Sequence, residues 1–435
     1  LGDVYKRQSF KYKVPGKFGA SASYKVYYLG KNSNGSQVTI SANQMQTAPD
    51  NTEHFGTAGD YGTATATGAV GGSIFSFQLE HQPAYLVFQP YTSNTILQSC
   101  YLTKVEVSSD NDIAETYTVN TSTGALTGSA GSKQIVLTTS GSSSNPNGFP
   151  LTNSAADVTT NGAYMVIKPG THTLRVRYWV KNVATQVEGT ITKTLSQATY
   201  APNTYYDMTA NLDVKNYDGD HYYMWDAQNQ YWYGYEWTKN LPAGTGQPTL
   251  NGNNSSNYAQ SNADPNHRWY HEGGGTARFD AIHTPCKNLP NVNEMTWYAA
   301  EGDPHWDADE LWTTMGHLYK GGIWFKKKSV LQGEGNYNSN TAVDGTDWRT
   351  NEISNAWPVS QTLPSAADAG NYFYLPALGS YDSGQLYNVG NSGNYWSSSA
   401  GAWYSSNARA LYFGSGSVGV SYHFRYNGFR AGEFE

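Results

Sequence analysis

Tryptophan divides this chain before any other signal does. Twelve of the 13 tryptophans stand at or after Trp225, and Trp179 alone precedes it. Indole rings need a thick apolar interior to cover them, so the two parts are built from different material and are expected to form separate cores. A length of 435 residues agrees, because single cores stop growing at roughly 250–300 residues.

The composition then removes whole classes of function. Charged residues are 14% of the chain, against about a quarter in ordinary globular proteins, and aromatics reach 14% as well. A disordered chain lacks such aromatics. Nucleic-acid binders are basic, whereas the net charge here is -7, so no nucleic-acid partner is expected. No apolar run approaches the roughly 18 residues of a transmembrane span. Two cysteines, Cys100 and Cys286, are too few for a disulfide framework and read as unpaired buried thiols, with a bridge between them as the alternative. Residues 1–8, Leu1 to Gln8, contain neither an initiator Met nor the apolar stretch of an export signal, and are set aside as an artefactual or disordered tail.

Residues 9–215 alternate apolar and polar positions in short runs between Gly, Asn and Ser turns. Phe75 to Phe88, Tyr101 to Val107, Tyr164 to Ile167 and Thr173 to Val180 are the clearest. Period-two alternation with β-branched and aromatic residues predicts half-buried strands of antiparallel sandwiches. A soft boundary at Ser109 to Ala114 predicts two modules, 9–112 and 113–215, and the tract Ser140 to Gly148 reads as a surface loop.

From residue 216 the texture changes, beginning with the aromatic stretch His221 to Trp237. Asn291 with Glu294, then Val292, Met295 and Ala299, predicts a capped helix ended by Gly302. Asp307 with Glu310, then Leu311, Trp312, Met315, Leu318 and Tyr319, predicts a second, ended by Gly321 and Gly322. Residues 216–435 are thus expected to form an α+β domain.

Catalytic motifs are sparse. Gly273 to Gly275 opens no helix and reads as a turn, and Gly414 to Ser417 lacks the setting of a nucleophile elbow. Cys286 reads as a small buried residue rather than a nucleophile. His267, His271, His283, His305, His317 and His423 show no paired helical spacing, so each reads as a packed or surface imidazole. Asp303, Asp307, Asp309 and Glu310 read as helix caps rather than calcium ligands, and Lys326 to Lys328 as a solvated strand end. No catalytic residue, metal or cofactor is expected.

The C-terminal tail is the informative part. Leu411 and Phe413 alternate on one run and Val418 and Val420 on the next, with Gly414 to Ser417 between them, which predicts a hairpin. Tyr395 to Ser399, Asn407-Ala408, Leu411, Phe413, Ser415-Gly416, Val418, Val420, Arg425 and Gly428 to Arg430 resemble the scaffold of the variable region, here about 395–430, in proteins diversified by retroelements. The resemblance, carried also by Leu289 to Met295, Gly302 to Trp306 and Gly321 to Lys327, implies a C-type-lectin-like domain over 216–435. It implies a ligand-binding face at Ala402, Tyr404, Ser406, Ala410, Tyr412, Gly414, Ser417, Gly419, Ser421, Tyr422, His423, Phe424 and Tyr426, positions where templates carry adenine-rich codons. Gly401 to Asn427 contains no Lys, Glu, Gln or Met, residues that randomised AAC codons cannot encode.

The N-terminal part resembles the fimbrillin-like proteins of type V pili, on Phe77 to His81, Ala84 to Phe88, Tyr101 to Val107 and Tyr200 to Val214. That implies two fimbrillin-like β-sandwiches that accept a strand from a neighbouring pilin. With the C-terminus occupied, the combined resemblance implies an exported protein at the bacterial outer membrane, a pilus-tip adhesin whose diversified face binds an unknown protein or glycan. Two alternatives share the lectin-like fold. A formylglycine-generating oxidase relies on paired cysteines, whereas Cys286 stands alone in this domain; a calcium-dependent sugar lectin carries acidic motifs of which only Asp264-Pro265-Asn266 is a partial echo. The expected protein is therefore not an enzyme.

Overall fold

The computed structural model describes residues 11–435 except 17, 32, 121–125, 218–220, 236–255, 275–276 and 433. The tail Leu1 to Gln8, Trp237 and Gly275 lie outside the described residues. The fold is mostly β with few helices, as expected. No helix among the described residues is long and apolar enough to cross a membrane.

Alternation in the N-terminal part becomes strands where it was expected. Cys100–Ser109 lies between Gln134–Thr138 and Leu174–Asn182, antiparallel to both, and Leu174–Asn182 continues to Glu188–Thr194. Leu102, Val105 and Val107 turn inward while Lys104 and Glu106 remain partly exposed. A second sheet places Ala84–Tyr91 between Ala163–Ile167, antiparallel, and Tyr205–Asn211, parallel. Ala84 to Phe88 are all buried, which an unbroken apolar run requires of a central strand. The two sheets share a core, with Phe88 edge-on to Tyr178 at 6.0 Å. Ser140 to Gly148 is a loop without strand structure, tied back by Ser142 and Asn145 donating to the Thr47 carbonyl.

The boundary expected at residue 112 does not separate two modules. Strands from before it pair with strands from after it in both sheets, and Gln37–Thr39 pairs with Ala114–Val119. One hydrophobic cluster runs from Val38 to Leu212. Local alternation marks strands but carries no information about which strand lies beside which.

The C-terminal part contains the expected helix, Val292–Glu301. Asn291 accepts from the Glu294 N–H and the Glu294 carboxylate accepts from the Asn291 N–H, completing the capping box. Beneath it lies a six-stranded sheet in the order Tyr222–Tyr223, Phe429–Arg430, Gly393–Ala400, Asn407–Phe413, Ser417–Phe424, Asn355–Pro358. Trp232, Trp312, Trp348, Tyr298, Tyr381, Tyr395 and Phe413 fill its main core, and Trp225 and Trp396 a smaller cluster beside it.

The second expected helix is instead a β-hairpin, His305–Thr314 with His317–Lys326. Met315 and Gly316 both have positive φ, 50° and 76°, the geometry of a two-residue hairpin turn. The spacing that mimics a helix start has another origin. Asp307 and Glu310 reach sideways to the N-terminal part, and Leu311 and Trp312 belong to opposite faces of a strand. Leu311 and Leu318 enter the N-terminal core, whereas Trp312, Ile323 and Phe325 enter the C-terminal one. The same strand touches Glu188–Thr194 in parallel at Thr190 and Glu310, so one nine-stranded sheet runs through both parts.

Buried polar groups lock that junction. Arg177 donates to Asp307 at 2.8 Å and to the Thr190 hydroxyl at 2.6 Å, and Thr190 donates to Glu310 at 3.0 Å. Glu310 also accepts from the Thr192 N–H at 2.9 Å and its hydroxyl at 2.6 Å, while Trp324 donates to Asp307 at 3.1 Å. Asp303 and Asp309 go elsewhere, to Tyr372 and Lys320. The four carboxylates are thus neither caps nor a shared cation site. Gly189 is required here, because a Cβ would stand 2.3 Å from the Asp309 carbonyl.

Two predictions follow from this junction. Asp307→Ala strands the buried Arg177 guanidinium and is expected to cost about 3–5 kcal/mol of unfolding free energy, measured by urea denaturation. Burial, and then the charge of Asp307, pushes the Glu310 pKa up from 4.5 to about 7. The unfolded chain releases that proton first, so across this window the folded state holds more protons and stability falls as pH rises. Glu310→Gln is expected to flatten that decline in denaturation series across the window; an unchanged slope would contradict it.

Candidate functional site

The C-terminal hairpin forms as expected. Asn407–Phe413 and Ser417–Phe424 pair from Asn407 with Phe424 to Phe413 with Val418. Leu411, Phe413, Val418 and Val420 face the main core under the helix. Ala408 and Ala410 face a smaller cluster holding Trp225, Trp396 and Phe429. Trp396, Phe413 and Phe429 are buried framework, and Trp396 stacks on Phe429 at 4.4 Å. The middle of the hairpin is therefore covered on both faces.

That covering sorts the thirteen candidate residues. Ala402, Ala410 and Gly419 are buried and have no surface to offer a ligand. A Cβ on Gly419 would stand 2.5 Å from the Tyr412 ring. Ser406, Tyr412, Gly414, Ser421 and His423 are half-buried. His423 packs edge-on against Tyr412 and Phe429, and burial drives its pKa down to about 4, so it is a neutral packing residue. Tyr404, Ser417, Tyr422, Phe424 and Tyr426 are exposed. Four of these five, all but Ser417 at the start of the second strand, lie at or beyond the far end of the hairpin.

At that end Phe424 and Tyr426 stack with centroids 5.1 Å apart, and Tyr422 lies over the Arg409 guanidinium at 5.9 Å. Trp403, 55% exposed, extends the patch. Trp403 is not among the thirteen positions that the resemblance implies, although its adjacency to Tyr404 in the sequence is a visible signal. Tyr422 and Phe424 share the strand face of Leu411, not that of Ala410 and Tyr412, so the exposed set is defined by position along the hairpin rather than by one alternating face.

Two buried arginines hold this end rigid. Arg409 donates to the carbonyls of Ile353, Trp348 and Asn351, and lies 3.8 Å from Glu352, which in turn accepts from the Trp403 N–H. Arg425 donates to the Asn407, His271 and Gly273 carbonyls, each at 2.8 Å, and covers the Trp225 ring at 4.5 Å. Burial lowers the Arg425 pKa to about 10, leaving it charged at neutral pH.

Beyond Arg425 opens a cavity of about 220 Å³, lined among others by Asp226, Trp269, Tyr270, His271, Glu272 and His283. Asp226, His271 and His283 place one donor atom each within 4.8 Å of one another. Sequence spacing did not reveal this grouping, since 45 residues separate Asp226 from His271. Cys286 sits behind it as a buried thiol, its pKa pushed up to about 12 by burial, and Cys100 is free and buried in the other part.

No protein-family model matches the chain, and no curated protein does. Among solved structures, a Bacteroides ovatus protein named for cell adhesion aligns at 15% identity and TM-score 0.27, over 43% of this chain and 62% of its own length. A Bacteroides uniformis protein of the same description aligns at 15% identity and TM-score 0.25, over 43% and 67%. A fimbrial protein of Bacteroides ovatus covers 88% of this chain and 78% of its own at 13% identity and TM-score 0.17. The chain thus spans under two thirds of the first of these. Likeness of this order assigns it neither a family nor an activity.

Gly419→Tyr is expected to destabilise the chain by about 1–3 kcal/mol or more, because the added ring collides with Tyr412. Thermal denaturation checks this, and an unchanged melting temperature would show that position 419 is open.

Proposed function

We propose that this chain is a binding protein displayed on a bacterial surface, not an enzyme, and that the exposed aromatic end of its C-terminal hairpin contacts the ligand. One observation carries the reading. Trp403, Tyr404, Tyr422, Phe424 and Tyr426 are each at least 36% exposed, Phe424 stacks on Tyr426, and their backbone is tied to two buried arginines, through Glu352 to Arg409 at Trp403 and through the Asn407 carbonyl to Arg425. Such rings supply large contact area with little rotamer entropy to lose, and the neighbouring serines supply adaptable polar contacts, which is the mixture that paratopes use.

The resemblance to retroelement-diversified domains fits this arrangement at Tyr404, Tyr422, Phe424 and Tyr426, and does not fit it at Ala402, Ala410 and Gly419. In this proposal variation is confined to the exposed end. The N-terminal sandwich supports attachment to a pilus through strand addition at a sheet edge such as Tyr205–Asn211. Burial of Cys286 as a protonated thiol without a neighbouring cysteine works against an oxidase of the paired-thiol kind.

The double substitution Tyr422→Ala and Phe424→Ala is the direct test. These side chains are 42% and 52% exposed, so the melting temperature is expected to shift by only a few degrees, each change costing about 0.5 kcal/mol or less. Binding of the whole chain to an arrayed panel of glycans and host-cell surface proteins is expected to fall. Retained binding would exclude this face, and a large loss of stability would mean that the rings are structural.

A further inference from the structure

Asp226 is held in an unusual state for an aspartate that only supports a fold. Its backbone has φ 56°, in the left-handed region that costs a non-glycine residue energy, and its side chain is completely buried. The carboxylate accepts the Ile282 N–H at 2.9 Å on one oxygen and the His283 N–H at 2.7 Å on the other. His271 Nδ1 lies 2.7 Å from the first oxygen, and His283 Nδ1 lies 3.6 Å from the second and 2.7 Å from the Asp226 carbonyl oxygen. Two imidazoles that remain 21% and 30% exposed thus converge on a buried anion at the wall of a cavity of about 220 Å³.

We propose that Asp226, His271 and His283 form a site for a borderline divalent cation of the zinc type, with its remaining coordination positions open to the cavity. Two nitrogen donors and one carboxylate suit zinc, copper or nickel and not calcium, which takes six to eight oxygens. Zinc binds such donors at about 2.0–2.2 Å, so tetrahedral donors stand roughly 3.3 Å apart. The separations of 2.7 and 3.6 Å straddle that value, and the cation would take the place of the hydrogen bonds from His271 Nδ1 to the Asp226 carboxylate and from His283 Nδ1 to the Asp226 carbonyl.

The surroundings hold the donors in place. His271 N–H donates to the Trp225 carbonyl at 3.1 Å, and its own carbonyl is fixed by Arg425. Other acids on the cavity wall are already engaged: Asp264 forms two bonds with the Arg268 guanidinium, and Glu272 accepts from Asn262 and Trp269. The open positions are thereby left to water or to an oxygen of a bound molecule. The competing account is a hydrogen-bonded clamp that ties residues 271–283 to Trp225 and Asp226 and takes no ion.

Tag-free, chelator-treated whole chain titrated with zinc chloride separates the two accounts. Calorimetry is expected to show one equivalent bound, with a rise in melting temperature that EDTA reverses. His271→Gln and His283→Gln are each expected to weaken binding by at least roughly 10–100-fold. Cobalt in place of zinc is expected to give the visible absorption of tetrahedral nitrogen and oxygen coordination, lost on adding zinc; this reading needs no variant to fold. Absence of zinc binding by the folded wild type overturns the proposal. So does unchanged affinity in both variants, or equal stabilisation by calcium.

Discussion

The hairpin His305–Lys326 is the element on which the rest of the molecule depends. Its strands are amphipathic in an unusual sense, since both faces are apolar and each serves a different core. Leu311 and Leu318 complete the N-terminal cluster, and Trp312, Ile323 and Phe325 complete the C-terminal one. A helix could not do this within the same space, because its apolar stripe points one way. The ion pair of Arg177 with Asp307 and the threonine bonds to Glu310 then fix the register between the two parts. Buried charges of this kind contribute little net stability against apolar replacements but strongly penalise misalignment. The two parts consequently behave as one sheet rather than as beads on a linker.

That continuity matters for a binding role. The proposed contact residues Tyr422 and Phe424 stand on a strand whose hairpin Arg409 and Arg425 tie to neighbouring segments and whose sheet continues into the core beneath the helix. The exposed rings stand clear of the packed core, while Ala410 is fully buried and a side chain at Gly419 would press on the Tyr412 ring. Tolerance to substitution in this hairpin is set by depth along it.

Much of the fold was legible from local pattern. Alternation located the strands around Leu102 to Val107 and Leu174 to Val180, and the pair Asn291 and Glu294 located the helix start. Failures share one cause. Asp307, Glu310 and Leu311 have helical spacing, yet Thr313 and Thr314 favour a strand and Met315 with Gly316 supports a tight turn. Only pairing with Tyr372–Pro376 and Glu188–Thr194, distant in sequence, decided between them. The candidate face was partly legible for the same reason. Tyr422 and Phe424 could be named from the resemblance to diversified variable regions, whereas the burial of Ala402 depends on segments elsewhere in the chain.

By itself, the sequence determined the contrast between a tryptophan-poor and a tryptophan-rich part, the β character of the first, the capped helix of the second and the C-terminal hairpin. Each rests on interactions within a few residues, where side-chain periodicity and capping act directly. Tertiary structure alone decided that the N-terminal strands share one core, that Asp307 and Glu310 join the two parts, and that Asp226 meets His271 and His283. Those outcomes depend on contacts between segments tens to hundreds of residues apart, whose free energy appears only when the chain has brought them together.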